Sequence, residues 1–230
     1  DPKIDLYQGE RNFWGVKSYS VNFLGKKLKV ESLAFMSQDT NVGACATISV
    51  WCMLQSAVEN YFINLKSPYE ITIDAGLTVS SGSRLFPNTG LDPVCICNAI
   101  TKSNLATEVV HFRDQLYIEN ANSIIKEYVY AFSNLKLPII LAIMLPEGGI
   151  EHGHAIVICG HSVSKKEPSC LEKIASIAGV TKPKLKLRAE NIEKIFCHDD
   201  QWGPFSRVDF EGKGQLKTPW TKETNELSIP

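Results

Sequence analysis

The chain has 230 residues, 44% of them hydrophobic and 21% charged, with a formal net charge of −1. That length can bury a real core in one large domain, and the composition is ordinary for a globular protein. The charge balance speaks against nucleic acid or an acidic membrane surface as partner, and the longest apolar run, 137–146 (LPIILAIMLP), is about half of what a membrane-crossing helix needs.

In chain order, the start reads as extended, with two β-like runs around Gly25 in YSVNFLGKKLKVESLAF. A polar stretch, 37–43, then stops at Gly43. Apolar residues at helical spacing follow (Ile48, Trp51, Cys52, Val58, Tyr61, Phe62, Leu65), which predicts a largely buried helix over 44–65 with Cys45 in its first turn. TVSSGSRLFPNTG is loop, and a substrate-groove wall or a plain connector are both open readings. A helix begins at Asp92-Pro93, an N-cap followed by a proline at the first helical position. EVVHFRD reads as a strand end carrying a structural His111. NANSIIKEYVYAFSNL is a third helix.

After residue 136 the texture changes. Residues 138–145, 154–159, 194–198 and 205–210 read as strands, and PSCLEKIASIAG as a helix that Gly179 terminates. A helix-rich part (about 35–136) followed by a sheet-rich part (about 137–215) predicts an α+β fold in a single domain, helices packed on an antiparallel sheet. The locally basic KPKLKLR, 182–188, and Lys165-Lys166 read as solvated loop or edge.

The seven cysteines, an odd number, fall mostly in apolar patterns. Free thiols and a reducing, cytoplasmic compartment are expected, in a free enzyme or a domain of a larger protein. No secretory leader pattern opens the chain, which starts at Asp1.

Cys45 alone of the seven follows a polar, glycine-containing loop at a helix start. Unpaired N–H groups and the helix dipole there stabilise a thiolate over a thiol, and can donate to an oxyanion. A small core-facing residue is the bland alternative. A nucleophilic thiol needs a base, and EHGHAIVICGH (151–161) holds three of the five histidines. His154 opens a strand bounded by Gly153 and Gly160 and is placed at the sheet rim. His152 falls in the loop before it, and His161 in a surface turn beyond it. An orienting acid comes from KIFCHDDQWGP, where a strand ends on Asp199 and Asp200; the strand register decides whether these reach His154 or the opposite edge. A zinc site is the chemical rival, on Cys95, Cys97, His152, His154, Cys197 and His198, although one intervening residue is an unusual spacing for zinc ligands. After the aspartates, Trp202 and Arg207 either line a cleft or anchor the turn, and anchoring is the favoured reading.

These three pieces, in this order, resemble the papain-like cysteine peptidases, nearest the bacterial branch of C39-like, bacteriocin-processing peptidases. GHAIVICGH looks like the family's His strand, and NVGACATISVW like its Cys at the start of a long central helix. The resemblance covers about residues 35–62 and 150–210. It implies Cys45 as nucleophile, His154 as general base, Asp199 as orienting residue with Asp200 as the alternative, and Gln38 as side-chain donor to the oxyanion. It also implies a peptide or protein substrate cleaved through a thioester, with no cofactor and no metal. The pattern departs from the family at Ala46, where an aromatic usually follows the Cys, and at His161, where an aromatic usually follows the strand's glycine. A catalytically inactive binding or regulatory module, and an amide-transferring or deamidating enzyme, are the alternatives on the same fold.

Overall fold

The computed structural model describes residues 10–37, 44–76, 90–112, 115–147, 150–164, 188–211 and 214–219. Gln38, the serine-rich loop and the helix expected around 168–179 lie outside them. The described residues form a mixed α+β fold with four α-helices and a six-stranded antiparallel sheet.

The first strand, β1 (Glu10–Phe13), joins that sheet. β2 (Lys17–Phe23) and β3 (Lys26–Ser32) form a separate hairpin. Leu24 and Gly25 turn it, both with positive φ, where glycine carries no Cβ penalty. α1 (Cys45–Tyr61) is the central helix. α2 (Pro68–Asp74) starts in a capping box: the Glu70 amide donates to Ser67 Oγ, and the Ser67 amide donates back to the Glu70 carboxylate. This helix was not expected, although SPYE carries its signature. α3 (Pro93–Thr101) begins as predicted, with the Cys95 amide donating to Asp92 at 2.7 Å. α4 (Gln115–Leu135) starts five residues before the apolar pattern that announced it.

β4 (Ile139–Glu147) and β5 (Ile150–Val163) form a long hairpin, followed by β6 (Ile192–Asp199), β7 (Gly203–Phe210) and the short β8 (Leu216–Lys217). β5 is the axis of the sheet. One edge pairs with β4 over 150–158 and with β1 over 160–163, and the other edge pairs with β6. The core divides across the sheet. Val157, Cys159 and Phe196 pack with α1, while Ile156, Ile158, Ile195 and Cys197 pack with Ile125 and Val129 of α4.

Four expectations are corrected here. His152 is in β5 rather than in a loop before it, and is exposed. β5 continues through Gly160, so His161 is buried in strand, with its ring 5.9 Å from that of Trp14. The segment around His111 is not strand. α1 ends at Tyr61 rather than at 65: Phe62 turns into the left-handed region, and Phe62 and Leu65 are exposed. The second correction has a physical cause. Gly160 does not stop the strand; it makes room for the Phe13 ring, which lies where a Cβ would stand, 2.4 Å from its position. Gly160→Ala is therefore expected to destabilise the fold by about 1–3 kcal/mol, the usual cost of overpacking. Denaturant unfolding checks this. The penalty should be smaller in a Phe13→Ala background, because the two groups compete for one space.

Candidate functional site

Cys45 is the first residue of α1, and the site is built from that point. Ala44 stands at the N-cap and provides no side-chain hydrogen bond, and the first turn holds no acid. α2 and α3, in contrast, are capped by Ser67 and Asp92. The first intrahelical bond runs from the Ile48 amide to the Ala44 carbonyl at 2.9 Å, so the amides of residues 45–47 precede the helical ladder.

α1 is held against β5 one turn later. Ser49, four residues beyond Cys45 and on the same helix face, donates from Oγ to the Ala155 carbonyl at 2.8 Å. Both groups are buried, and Ala155 is the neighbour of His154. This contact fixes the height of the thiol relative to the imidazole. The spacing Cys45–Ser49 was the available signal, and sequence reasoning missed it.

His154 is 5% exposed, and its ring lies between the Cys45 side chain and the Asp199 carboxylate, both of which raise its pKa. Its Nε2 lies 3.3 Å from Asp199 Oδ1 and 3.6 Å from Asp200 Oδ1. The register question is thus answered: Val157 pairs with His198, and the end of β6 carries both aspartates back to the start of the apolar run of β5. Asp199 is fixed by its own turn, its Oδ1 accepting from the amides of Gln201 at 3.0 Å and Trp202 at 3.2 Å.

Burial of His154 disfavours its charge, but the neighbouring Asp199 carboxylate, with the Cys45 side chain adding to it, outweighs burial and raises the imidazole to about 10. The ring is therefore an imidazolium at neutral pH. Asp200 is different. Desolvation pushes its carboxyl up to about 6, with the negative charge of Asp199 adding to the rise and His154 opposing it. Among the described residues neither of its side-chain oxygens has a hydrogen-bond partner from another residue.

A pH signature follows. Asp200 binds its proton more tightly folded than unfolded, so its contribution to stability is present below pH 3.8 and is lost as pH rises through about 6. The shift of about two units corresponds to something on the order of 3 kcal/mol. Asp200→Asn should flatten the stability profile between pH 4 and 6.5, as read from urea midpoints. An unchanged slope would contradict the raised pKa of this buried carboxylate.

His198 is structural. Its Nδ1 accepts from the Phe205 amide at 3.2 Å, which leaves Nε2–H to donate to the Leu33 carbonyl at 3.0 Å. Phe35 and Phe205 meet its ring edge-on, and burial holds its pKa down. It ties the segment leading towards α1 to the end of β6. Trp202 and Arg207 are on the turn and on β7, and both are exposed.

Burial keeps three of the other described thiols protonated. Cys52 is pushed up to about 12 by burial, and Cys159 and Cys197 are pushed up by the same cause. All six described cysteines are free. Among the described residues, the group that could hold a metal ion is His154, Asp199 and Asp200, whose donor atoms lie within 4.8 Å of one another. Cys95 and Cys97, the pair on which a zinc reading leaned, are both on α3 and outside that group. No described helix is long and apolar enough to cross a membrane.

The chain matches no protein-family model and no curated protein. The site therefore has to be interpreted from its own geometry.

Proposed function

We propose that this protein is a papain-like thiol hydrolase that cleaves an amide bond, peptide or isopeptide, through a thioester at Cys45. The observation that carries the reading is the line of groups from the half-buried Cys45 thiol through the buried His154 ring to Asp199, with the thiol on the first residue of α1. A cysteine that begins a buried helix and touches a charged imidazole, itself oriented by an acid, has the arrangement of nucleophile, base and orienter.

In the proposed reaction the Cys45 thiolate attacks the amide carbonyl carbon. The carbonyl oxygen becomes an oxyanion, facing the amides that open α1. His154 gives its proton to the leaving nitrogen as the carbon–nitrogen bond breaks, which yields a free amine and an acyl thioester. His154 then takes a proton from water as the water attacks the thioester; the carbon–sulfur bond breaks, the carboxylic acid leaves, and the Cys45 thiolate is restored beside the His154 imidazolium. Asp199 keeps the ring oriented and stabilises its charge. Gln38, outside the described residues, is the proposed side-chain donor to the oxyanion.

Acid quenching during turnover of a p-nitrophenyl ester tests the intermediate. The expected result is a burst of nitrophenolate and an acyl group on Cys45. Acylation of another residue, or no burst, would contradict it.

A further inference from the structure

A groove of about 690 Å³ lies along the outer edge of β4. Residues 137–142 line it in an unbroken run, as do residues 105–112. Neighbours in a strand point to opposite faces, so consecutive lining residues mean that the groove meets β4 edge-on. Ile96, Cys97 and Ile100 of α3 line it, as do Tyr128, Val129 and Phe132 of α4. These helices belong to the two opposite faces of the sheet.

Among the described residues both long walls carry peptide groups without a main-chain partner, Leu137 excepted, whose amide donates to the Phe132 carbonyl and whose carbonyl accepts from the Trp14 indole. β4 pairs with β5 alone among the described residues. Every second residue of an antiparallel strand turns its N–H and C=O to its other side, here into the groove. The facing segment, 105–112, makes one main-chain hydrogen bond among the described residues, from the Leu105 amide to the Ile100 carbonyl at 3.3 Å. It is nonetheless well held, by Tyr128 donating to Glu108 at 2.6 Å and by the burial of Phe112.

This combination selects the occupant. A hydrocarbon chain would fill the apolar walls and leave the peptide groups dry and unbonded, which is costly. A helix has its own peptide groups already paired and is too thick. One strand within a packed sheet occupies roughly 3.3 by 4.8 by 10 Å per residue, about 160 Å³, so the groove holds about four extended residues. A second copy's sheet edge would bring helices and neighbouring strands that such a slot does not admit. We propose that the β4-edge groove binds an extended peptide segment of another polypeptide, about four residues long, as an added strand on β4. Because α3 and α4 flank it on the two faces, both alternating sets of its side chains are apolar. The inference is independent of the catalytic reading.

The test uses the full chain carrying Cys45→Ala, so that no cleavage intervenes, and a fluorescein-labelled Lys-Val-Leu-Val-Leu-Lys peptide. Anisotropy measures binding. Cys97, which lines the groove, reports location through its rate of alkylation by iodoacetamide. The peptide is expected to bind and to slow alkylation of Cys97. A copy N-methylated at alternate residues should bind about tenfold more weakly or worse, as loss of one or more hydrogen bonds requires. Cys97→Trp should fill the groove and abolish binding; if that variant does not fold, the alkylation readout on the unfilled groove still decides. Equal binding of the two peptides, protection of Cys97 by dodecanoate alone, or protection by none of these probes would overturn the proposal.

Discussion

Cys45→Ala protein is expected to fold normally and to lose amide hydrolysis by roughly 10⁴-fold or more, the scale seen when the nucleophile of such a triad is removed. The loss is specific to this thiol. Cys52, Cys159 and Cys197 are buried, and desolvation keeps each protonated. Cys45 is half-buried on the first residue of α1 and touches an imidazole that is charged at neutral pH. The packing that surrounds it is made by other groups, above all the Ser49 to Ala155 bond one turn on. Activity and stability should therefore separate: far-ultraviolet circular dichroism and the denaturant midpoint stay near wild type while turnover disappears. Turnover retained in the alanine variant would remove the thioester from the mechanism.

The second large effect is expected at Asp199. Asp199→Asn keeps an oxygen for the Gln201 and Trp202 amides, so the turn survives. It removes the charge 3.3 Å from His154 Nε2. The acid that orients a catalytic imidazole is worth up to about 10⁴ in turnover, and a loss of roughly 10²–10⁴-fold is expected. The pH profile moves as well. His154 titrates at about 10 largely because Asp199 outweighs its burial. In the variant its pKa falls, so the alkaline limb of activity, where the proton donor is lost, shifts to lower pH. The stability linkage has the matching sign: His154 contributes fully below its unfolded value near 6.5 and loses that contribution as pH rises through about 10. Asp200→Asn, which removes the more distant carboxylate, should cost far less activity. The reverse order of the two asparagine variants would reassign the orienting role to Asp200.

The local signals in the sequence were reliable where short-range chemistry decides the structure. Asp92-Pro93 marks the start of α3 to the residue, and Gly43-Ala44-Cys45 marks the start of α1. The pairing of β5 with β6 brings both aspartates to His154, one of two outcomes that the motif left open. Distant pairings were not legible. Gly153 and Gly160 look like strand ends because glycine usually punctuates, yet β5 runs through both. The reason at Gly160 is Phe13, almost 150 residues earlier, whose ring needs the space that a side chain would fill. The same pairing buries His161, which sequence alone places in a surface turn. His198 is similar: its neighbours Leu33, Phe35 and Phe205 come from three segments, and nothing in CHDD announces that its ring is neutral and structural.

The central claim is that one thiol among the seven cysteines is activated by His154, and a thiol-reactive peptidyl probe with mass mapping tests it most directly. With the folded protein at neutral pH, the account predicts a single adduct on Cys45, lost in Cys45→Ala and slowed in Asp199→Asn. An adduct on a different cysteine, or no labelling of the folded chain, would contradict it.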